Sequence, residues 1–421
     1  MAASKVISEF LTLLRKSQLL SPDDLQDAAI SVNQLGEPSS QQIADALVEE
    51  GYLTRFQATR LLEGNARGLV IDGYQVQEVL GRGGMGWVYI AEEKETHWRV
   101  ALKVLPDEAK GDAGTLARFR LEAQAGLRLN HPNIVRTYKL GQYDDIYGPI
   151  HYVAMELVRG VNLFEFMLMK KSLAIGQACD IVMQAATGLA YAHGQGLIHR
   201  DIKPENLLVC TDGTVKILDF GLAMVDEKDE EFSMAMIFGQ NRLGTADYIS
   251  PEQYLDSYRV DQRADIYSLG CTLYFALTGQ VPFPYDTPTK KLRAHLRKRP
   301  EPVESLRPDV PPRVAQIVGK MMAKRPENRI QTAEEVARLL QPFARRETNS
   351  INFRSVLAAR LAHAKRKGQA APAAAKPSST KQLPDVPSPD RHSTIETIVR
   401  EDTMLDQPKP RSEREPRDGP V

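Results

Sequence analysis

A chain of 421 residues with 42% apolar content is long enough for two or three domains and rich enough for a packed core. Its 54 Lys+Arg balance 54 Asp+Glu, which gives no electrostatic reason to expect nucleic acid or an acidic membrane as partner. Cys179, Cys210 and Cys271 are scattered and odd in number, which argues against a disulfide framework or a metal site and fits a reducing compartment. No apolar run reaches the ~18 residues of a bilayer span, and Met1-Ala-Ala-Ser-Lys does not open a signal peptide. A cytoplasmic location is therefore expected.

Residues 1–66 read as a small helical unit of unknown role. Val6, Phe10, Leu13 and Leu14 recur at helical spacing, and Ser21-Pro22-Asp23-Asp24 is a helix start. Further helices are expected from Ser40 and from Thr54, the last closed by Gly64. Leu14…Leu20-Ser21 is echoed at Leu47…Leu53-Thr54, offset by 33 residues. Two ordinary capped helices are the simpler account; a duplicated helical hairpin is the other. Sixty-odd residues make a marginal core, so this unit needs a neighbour or a partner to pack on.

Strand patterns run from Tyr74 through Leu105, broken by the glycines of Gly81-Arg-Gly83-Gly-Met-Gly86-Trp-Val88. Residues 113–129 read as a helix, then 134–140 and 150–157 as strands. After Gly160 helices are expected at 161–169, 175–195, 261–279, 289–298, 311–323 and 332–343, with short strands near 207–218. A strand-rich part followed by a helix-rich part predicts two lobes within 72–343. From 344 the chain is a tail. A short helix is expected at 352–367, read as a frayed, solvated segment before a partner-binding one. Disorder is expected beyond, where nine prolines fall in 368–421 and no aromatic residue follows Phe353.

The chemistry sits in His199-Arg200-Asp201-Ile-Lys203-Pro-Glu-Asn206 and in Asp219-Phe220-Gly221. Glycines in the first loop let backbone N–H groups approach phosphates. A dinucleotide site would need a helix after the third glycine, and here a strand continues. Lys103, 22 residues after Gly81 in an apolar strand, needs anionic partners; Glu122, 19 residues on, is one candidate. Asp219 at a strand end and Asn206 offer hard oxygen donors suited to Mg²⁺. Asp201 is left to accept a hydroxyl proton and Lys203 to neutralise a moving phosphoryl group.

Residues 74–343 resemble a protein kinase of the eukaryotic type, with the glycine loop, strand lysine, helix glutamate, catalytic loop, Asp-Phe-Gly and Ser250-Pro-Glu252 in family order. Gly-Arg-Gly-Gly-Met-Gly-x-Val-Tyr and Pro251-Glu-Gln253 resemble the bacterial serine/threonine branch. The resemblance implies an α+β bilobal fold and a serine/threonine protein kinase using ATP and Mg²⁺, with Mn²⁺ as a substitute. It implies Met155 as gatekeeper, the backbone of Glu156 and Val158 at the adenine edge, and Val88, Ala101 and Leu208 around the purine. Phe220, His199 and Leu127 would form a stack between the lobes. Asp265 would anchor the catalytic loop, and Glu252 and Arg329 would form a buried ion pair. Lys203 and Thr245 imply serine or threonine as acceptor.

Some features depart from the family pattern. Serine replaces alanine at Ser250. The loop between Gly221 and Gly244 carries one hydroxyl residue, Ser233, beside the acidic run Asp226–Glu231. Arg200 expects a negative partner there: phosphorylated Ser233, the acidic run, or neither if the run is only solvated. Protein substrates are implied and a homodimer is compatible. Tail threonines such as Thr394, Thr397 and Thr403 would suit a phosphopeptide-reading partner. The competing readings are a nucleotide-binding scaffold without catalysis, which would be expected to lack Lys103, Asp201 or Asp219, and a small-molecule kinase, disfavoured by Gly244–Glu252.

Overall fold

In the computed structural model, the described residues are 2–33, 38–83, 86–107, 112–145, 148–170, 172–220, 245–256 and 260–369. They lie within one compact unit, Met1–Ala370. The chain opens with α1 (Ala2–Ser17), α2 (Pro22–Asn33), α3 (Ser40–Glu49) and α4 (Arg55–Leu62). Reciprocal capping boxes start α3, from Ser39 and Gln42, and α4, from Thr54 and Gln57. The 33-residue echo has a backbone counterpart, since Gln18 (φ 57°) and Gly51 (φ 82°) are both left-handed and break the two hairpins at matching places. Phe10, Leu14, Leu19, Ile43, Leu47, Leu53 and Leu61 form the small core.

That core does not stand alone. The Thr54 hydroxyl donates to the Gln77 carbonyl and the Gln57 amide to the Val76 carbonyl, both at 2.7 Å. The Gln75 amide returns a hydrogen bond to the Leu19 carbonyl. Phe56 packs against the neighbouring sheet's own core. The unit therefore docks on its neighbour in the chain.

The neighbour is a six-stranded antiparallel sheet, ordered β1-β2-β3-β4-β6-β5. Its strands are β1 (Val70–Ile71), β2 (Tyr74–Gly83), β3 (Gly86–Glu93), β4 (Arg99–Val104), β5 (Thr137–Asp145) and β6 (Gly148–Glu156), with helix α5 (Ala113–Leu127) between β4 and β5. The β2–β3 hairpin closes at the glycine loop, Gly83 opposite Gly86. Gly86 has φ 156°, and a Cβ there would stand 2.1 Å from the Val104 carbonyl oxygen, so no side chain fits.

The second lobe is helical around a small sheet. Strand β7 (Gly160–Asn162) pairs with β8 (Leu207–Cys210), and β8 with β9 (Val215–Ile217). The helices are α6 (Leu163–Lys170), α7 (Ile175–Gly194), α8 (Pro251–Leu255), α9 (Arg263–Thr278), α10 (Pro288–Arg297), α11 (Val303–Leu306), α12 (Pro312–Met321) and α13 (Ala333–Leu340). Helix α9 is buried from Ala264 to Leu277, so apolar residues fall on every face of it, with Asp265, Ser268 and Thr272 the polar exceptions. A Cβ on Gly270 would meet Met321 Cβ at 2.7 Å and Met322 Cγ at 3.0 Å. Gly270→Ala is expected to cost about 1–3 kcal/mol through overpacking, read as a lower urea midpoint. An unchanged midpoint would mean that α12 yields freely.

Several boundaries differ from expectation. The segment expected as a strand from 134 becomes one at Thr137, and Ile134 makes a single bridge to Ile217. β1, β7, α8 and α11 are too short to carry a readable period. The tail carries a helix, α14 (Phe353–Gln369), and it is docked where a frayed, solvated segment was expected: Leu357 is buried and Val356 packs against the second lobe's core. Residues 370–421, with the tail threonines, lie outside the described residues.

Candidate active site

Alternation along paired strands builds the upper wall. Gly81 lies opposite Val88, Val88 opposite Lys103, and Ala101 opposite Met155. Directly opposed residues share a face, as do positions two apart, so the sheet brings all five of these residues to one side. Leu208 packs with Met155, Val135 and Val158 below them. The Glu156 carboxylate is engaged elsewhere, 3.0 Å from Lys216 Nζ, and its N–H donates to the Arg136 carbonyl at 2.8 Å. Gly83 and Gly86 close the loop; positions 84 and 85 between them lie outside the described residues.

Lys103 is 7% exposed and its Nζ lies 3.1 Å from Glu122 Oε2 and 3.1 Å from Asp219 Oδ1. Burial alone would strip its charge, but the Asp219 and Glu122 carboxylates more than offset that and hold its pKa above the usual lysine range. Burial likewise opposes the Asp219 charge, and the Lys103 ammonium wins, keeping that carboxyl below its ordinary range. Burial lifts Glu122, which Lys103 only partly counters. One ammonium thus ties β4, α5 and the Asp-Phe-Gly turn together.

Lys203 Nζ donates to both Asp201 oxygens, at 3.0 and 2.8 Å. Asn206 Nδ2 donates to the Asp201 carbonyl at 2.7 Å and to its carboxylate at 3.2 Å. With its Nδ2 committed to Asp201, Asn206 has its amide oxygen to offer, and Asp219 has its second carboxylate oxygen. Two hard oxygens of this kind would suit a divalent cation such as Mg²⁺.

Arg200 (φ 62°) and Asp219 (φ 50°) are left-handed non-glycine residues, a strained backbone that surrounding contacts must enforce. Asp265 is 0% exposed and accepts the N–H groups of His199, at 2.8 Å, and Arg200, at 2.7 Å. His193 Nε2 adds a third contact to Asp265 at 2.9 Å. Gln253 donates to the Arg200 carbonyl at 2.8 Å. His199 Nε2 lies 2.8 Å from the Leu218 carbonyl, and its ring meets Phe220 edge-on at 4.7 Å. His193 and Gln253 were not legible as site residues, because nothing in sequence links them to a loop they support from a distance.

Leu127 is not in the stack with His199 and Phe220. Its side chain is 40% exposed, and helix phase turns Ala123 and Gly126 inward instead. A Cβ at Gly126 would lie 2.3 Å from Thr137 Oγ1, so that position is kept bare to let α5 approach β5.

Below the loop, Arg329 has a side chain 0% exposed and a bidentate pair with Glu252 at 2.6 and 2.7 Å. Arg329 also donates to the carbonyls of Ala323, Lys324 and Arg263. Thr245–Asp247 form a single 3-10 turn, and Lys291 Nζ holds the Asp247 carboxylate at 2.7 Å. Ser233, the acidic run and Gly244 lie outside the described residues. Arg200 Nε makes no hydrogen bond among the described residues.

Two lobes, a lysine bridging a helix glutamate and an Asp-Phe-Gly aspartate, and a catalytic loop hung from a buried carboxylate define a protein kinase. Residues 74–340 match the protein kinase domain family, and the chain belongs to that family. It is 40% identical over 267 residues to serine/threonine-protein kinase PknB of Mycolicibacterium smegmatis, covering 63% of this chain and 42% of that protein. It is 37% identical over 263 residues to serine/threonine-protein kinase PrkC of Bacillus subtilis, covering 62% and 39%. The chain thus spans about two-fifths of the length of these relatives. The crystal structure of the Mycobacterium tuberculosis PknI kinase domain superposes with TM-score 0.51 at 28% identity, covering 66% of this chain and 97% of that one.

Proposed function

We propose that this chain is a serine/threonine protein kinase that moves the γ-phosphoryl group of Mg-ATP onto protein hydroxyls, its own included, in bacterial signalling. The observation that carries the reading is Lys103, held 3.1 Å from both Glu122 and Asp219 with Asp201 already fixed by Lys203 and Asn206. In this reading Gly81, Gly83 and Gly86 cover the phosphates, and Val88, Ala101, Met155 and Leu208 enclose the base, which the backbone of Glu156 and Val158 orients. Asn206 and Asp219 would hold the metal, whose charge offsets that of the phosphates. Asp201 orients the acceptor hydroxyl and takes its proton late; Lys203 offsets charge on the transferred group. Positioning and preorganised charge supply most of the rate.

Lys203 and Thr245 favour serine or threonine as acceptor, and the names of the relatives agree. Arg200 would answer a negative charge from phosphorylated Ser233 or the acidic run beside it. No helix among the described residues is long and apolar enough to cross a membrane. Cys179, Cys210 and Cys271 are buried free thiols, which supports a reducing, cytoplasmic setting. A homodimer and a phosphopeptide-reading partner for the tail remain part of this proposal.

Incubation with γ-labelled ATP and a generic protein acceptor, followed by phosphoamino-acid separation, tests the reading. Label is expected on serine and threonine. Label on tyrosine alone would overturn the acceptor assignment, and no label on protein would favour the scaffold reading.

A further inference from the structure

Helix α14 reaches both lips of the nucleotide cleft, and the chain leading to it is fastened first. The Arg345 N–H donates to the Gly176 carbonyl at 2.9 Å. Asn349 is 6% exposed, donates its N–H to the Thr211 carbonyl at 2.7 Å and accepts from Gln177 Nε2 at 3.0 Å. Its own Nδ2 donates to the Cys210 carbonyl at 3.2 Å. All these anchors belong to the second lobe. Leu357 and Val356 then seat the first turn of α14.

One turn on, Arg360 donates Nε and Nη2 to the two oxygens of Glu165, at 2.9 and 2.7 Å. Glu165 is the lower lip. It exchanges hydrogen bonds with Asn162, at 3.1 and 2.8 Å, and Asn162 pairs with Leu208 beneath the purine-side pocket. Gly81 is the upper lip, and Arg360 Cδ lies 3.8 Å from where a Cβ on Gly81 would stand. A single guanidinium stem therefore sits against both edges of the opening. The pair is mostly shielded, with side-chain exposures of 19% and 27%. Burial opposes the Glu165 charge, and Arg360 more than offsets this.

We propose that α14 is an autoinhibitory strap: Arg360, locked to Glu165 and lying against Gly81, bars nucleotide entry, and the cleft fills when α14 lifts. This rests on the kinase reading above. Regulation here acts on access and not on assembly, because Lys103, Glu122 and Asp219 are already joined. If only the lifted fraction binds nucleotide, the apparent Kd equals the intrinsic Kd divided by that fraction. Loosening the strap must then tighten binding.

The test is titration of the full chain with a fluorescent ATP analogue and Mg²⁺. Arg360→Ala and Leu357→Asp are each expected to tighten the apparent Kd by about five- to tenfold, the lower range of measured site couplings, with kcat at saturating ATP unchanged. The exchanged pair Glu165→Arg/Arg360→Glu is expected to return affinity toward wild type. Equal affinity in wild type and both single variants would overturn the strap and leave the kinase reading intact. Weaker binding in Arg360→Ala would assign Arg360 to the ligand and also overturn it. Absence of nucleotide binding in every form would overturn the kinase reading and the strap together.

Discussion

Asp201→Asn is expected to cut phosphoryl transfer by roughly 10²–10⁴-fold, the usual worth of a positioned proton acceptor, while nucleotide affinity stays close to wild type. The substitution keeps size and planarity. Asn206 Nδ2 still has the Asp201 main-chain carbonyl at 2.7 Å, so the loop keeps its shape. What is lost is the second acceptor oxygen and the charge that Lys203 holds at 2.8 and 3.0 Å. Single-turnover transfer at saturating ATP reads the chemical step, and analogue binding reads the ground state. Equal single-turnover rates for wild type and variant would remove Asp201 from the reaction. A parallel loss of binding would instead mean that the loop had collapsed.

The largest effect on stability is expected at Arg329. Arg329→Met should cost about 3–5 kcal/mol, because it leaves the Glu252 carboxylate without its bidentate partner and orphans three carbonyls on Ala323, Lys324 and Arg263. The pair joins α8, the start of α9 and the turn after α12, so its loss should lower the urea midpoint of the whole second lobe. The double variant Arg329→Met/Glu252→Gln should recover part of that loss by removing the stranded charge. A double variant no more stable than Arg329→Met would place the cost in the three carbonyls and not in the pair.

Much of this architecture could be read from the residues. Lys103, Glu122, Asp201, Asn206 and Asp219 stand at separations that only a few folds can reconcile, and the structure joins Lys103 to Glu122 and Asp219 in one group and Asn206 to Asp201 in a second. What sequence could not reveal is of two kinds. One is helix phase at a crowded contact, since Leu127 is the apolar residue of its pair yet points outward while bare Gly126 faces Thr137. The other is long-range polar fastening. Nothing near Gln57 suggests that it satisfies the Val76 carbonyl, and Arg360 lies 195 residues from Glu165. Such contacts exist only once distant segments have been brought together by their apolar faces.

Strand β2 bears loads from several sides at once. Near its start, Gln75, Val76 and Gln77 are gripped by Leu19, after α1, and by Thr54 and Gln57 at the start of α4; near its end, Gly81 meets α14; along its length it is zipped to β3 through two irregularities, at Val76/Glu78 and Val79/Gly81. A strand repeats every two residues, so a slip by one would invert each of these faces together. Tyr74 and Val76 would leave the core, and Gln75 would lose the Leu19 carbonyl. A slip of the whole of β2 by one residue would thus unseat both the N-terminal helices and α14 from the strand that joins them. The reading frame of these ten residues is the coordinate system in which the N-terminal helices, the glycine loop and the C-terminal helix are all positioned.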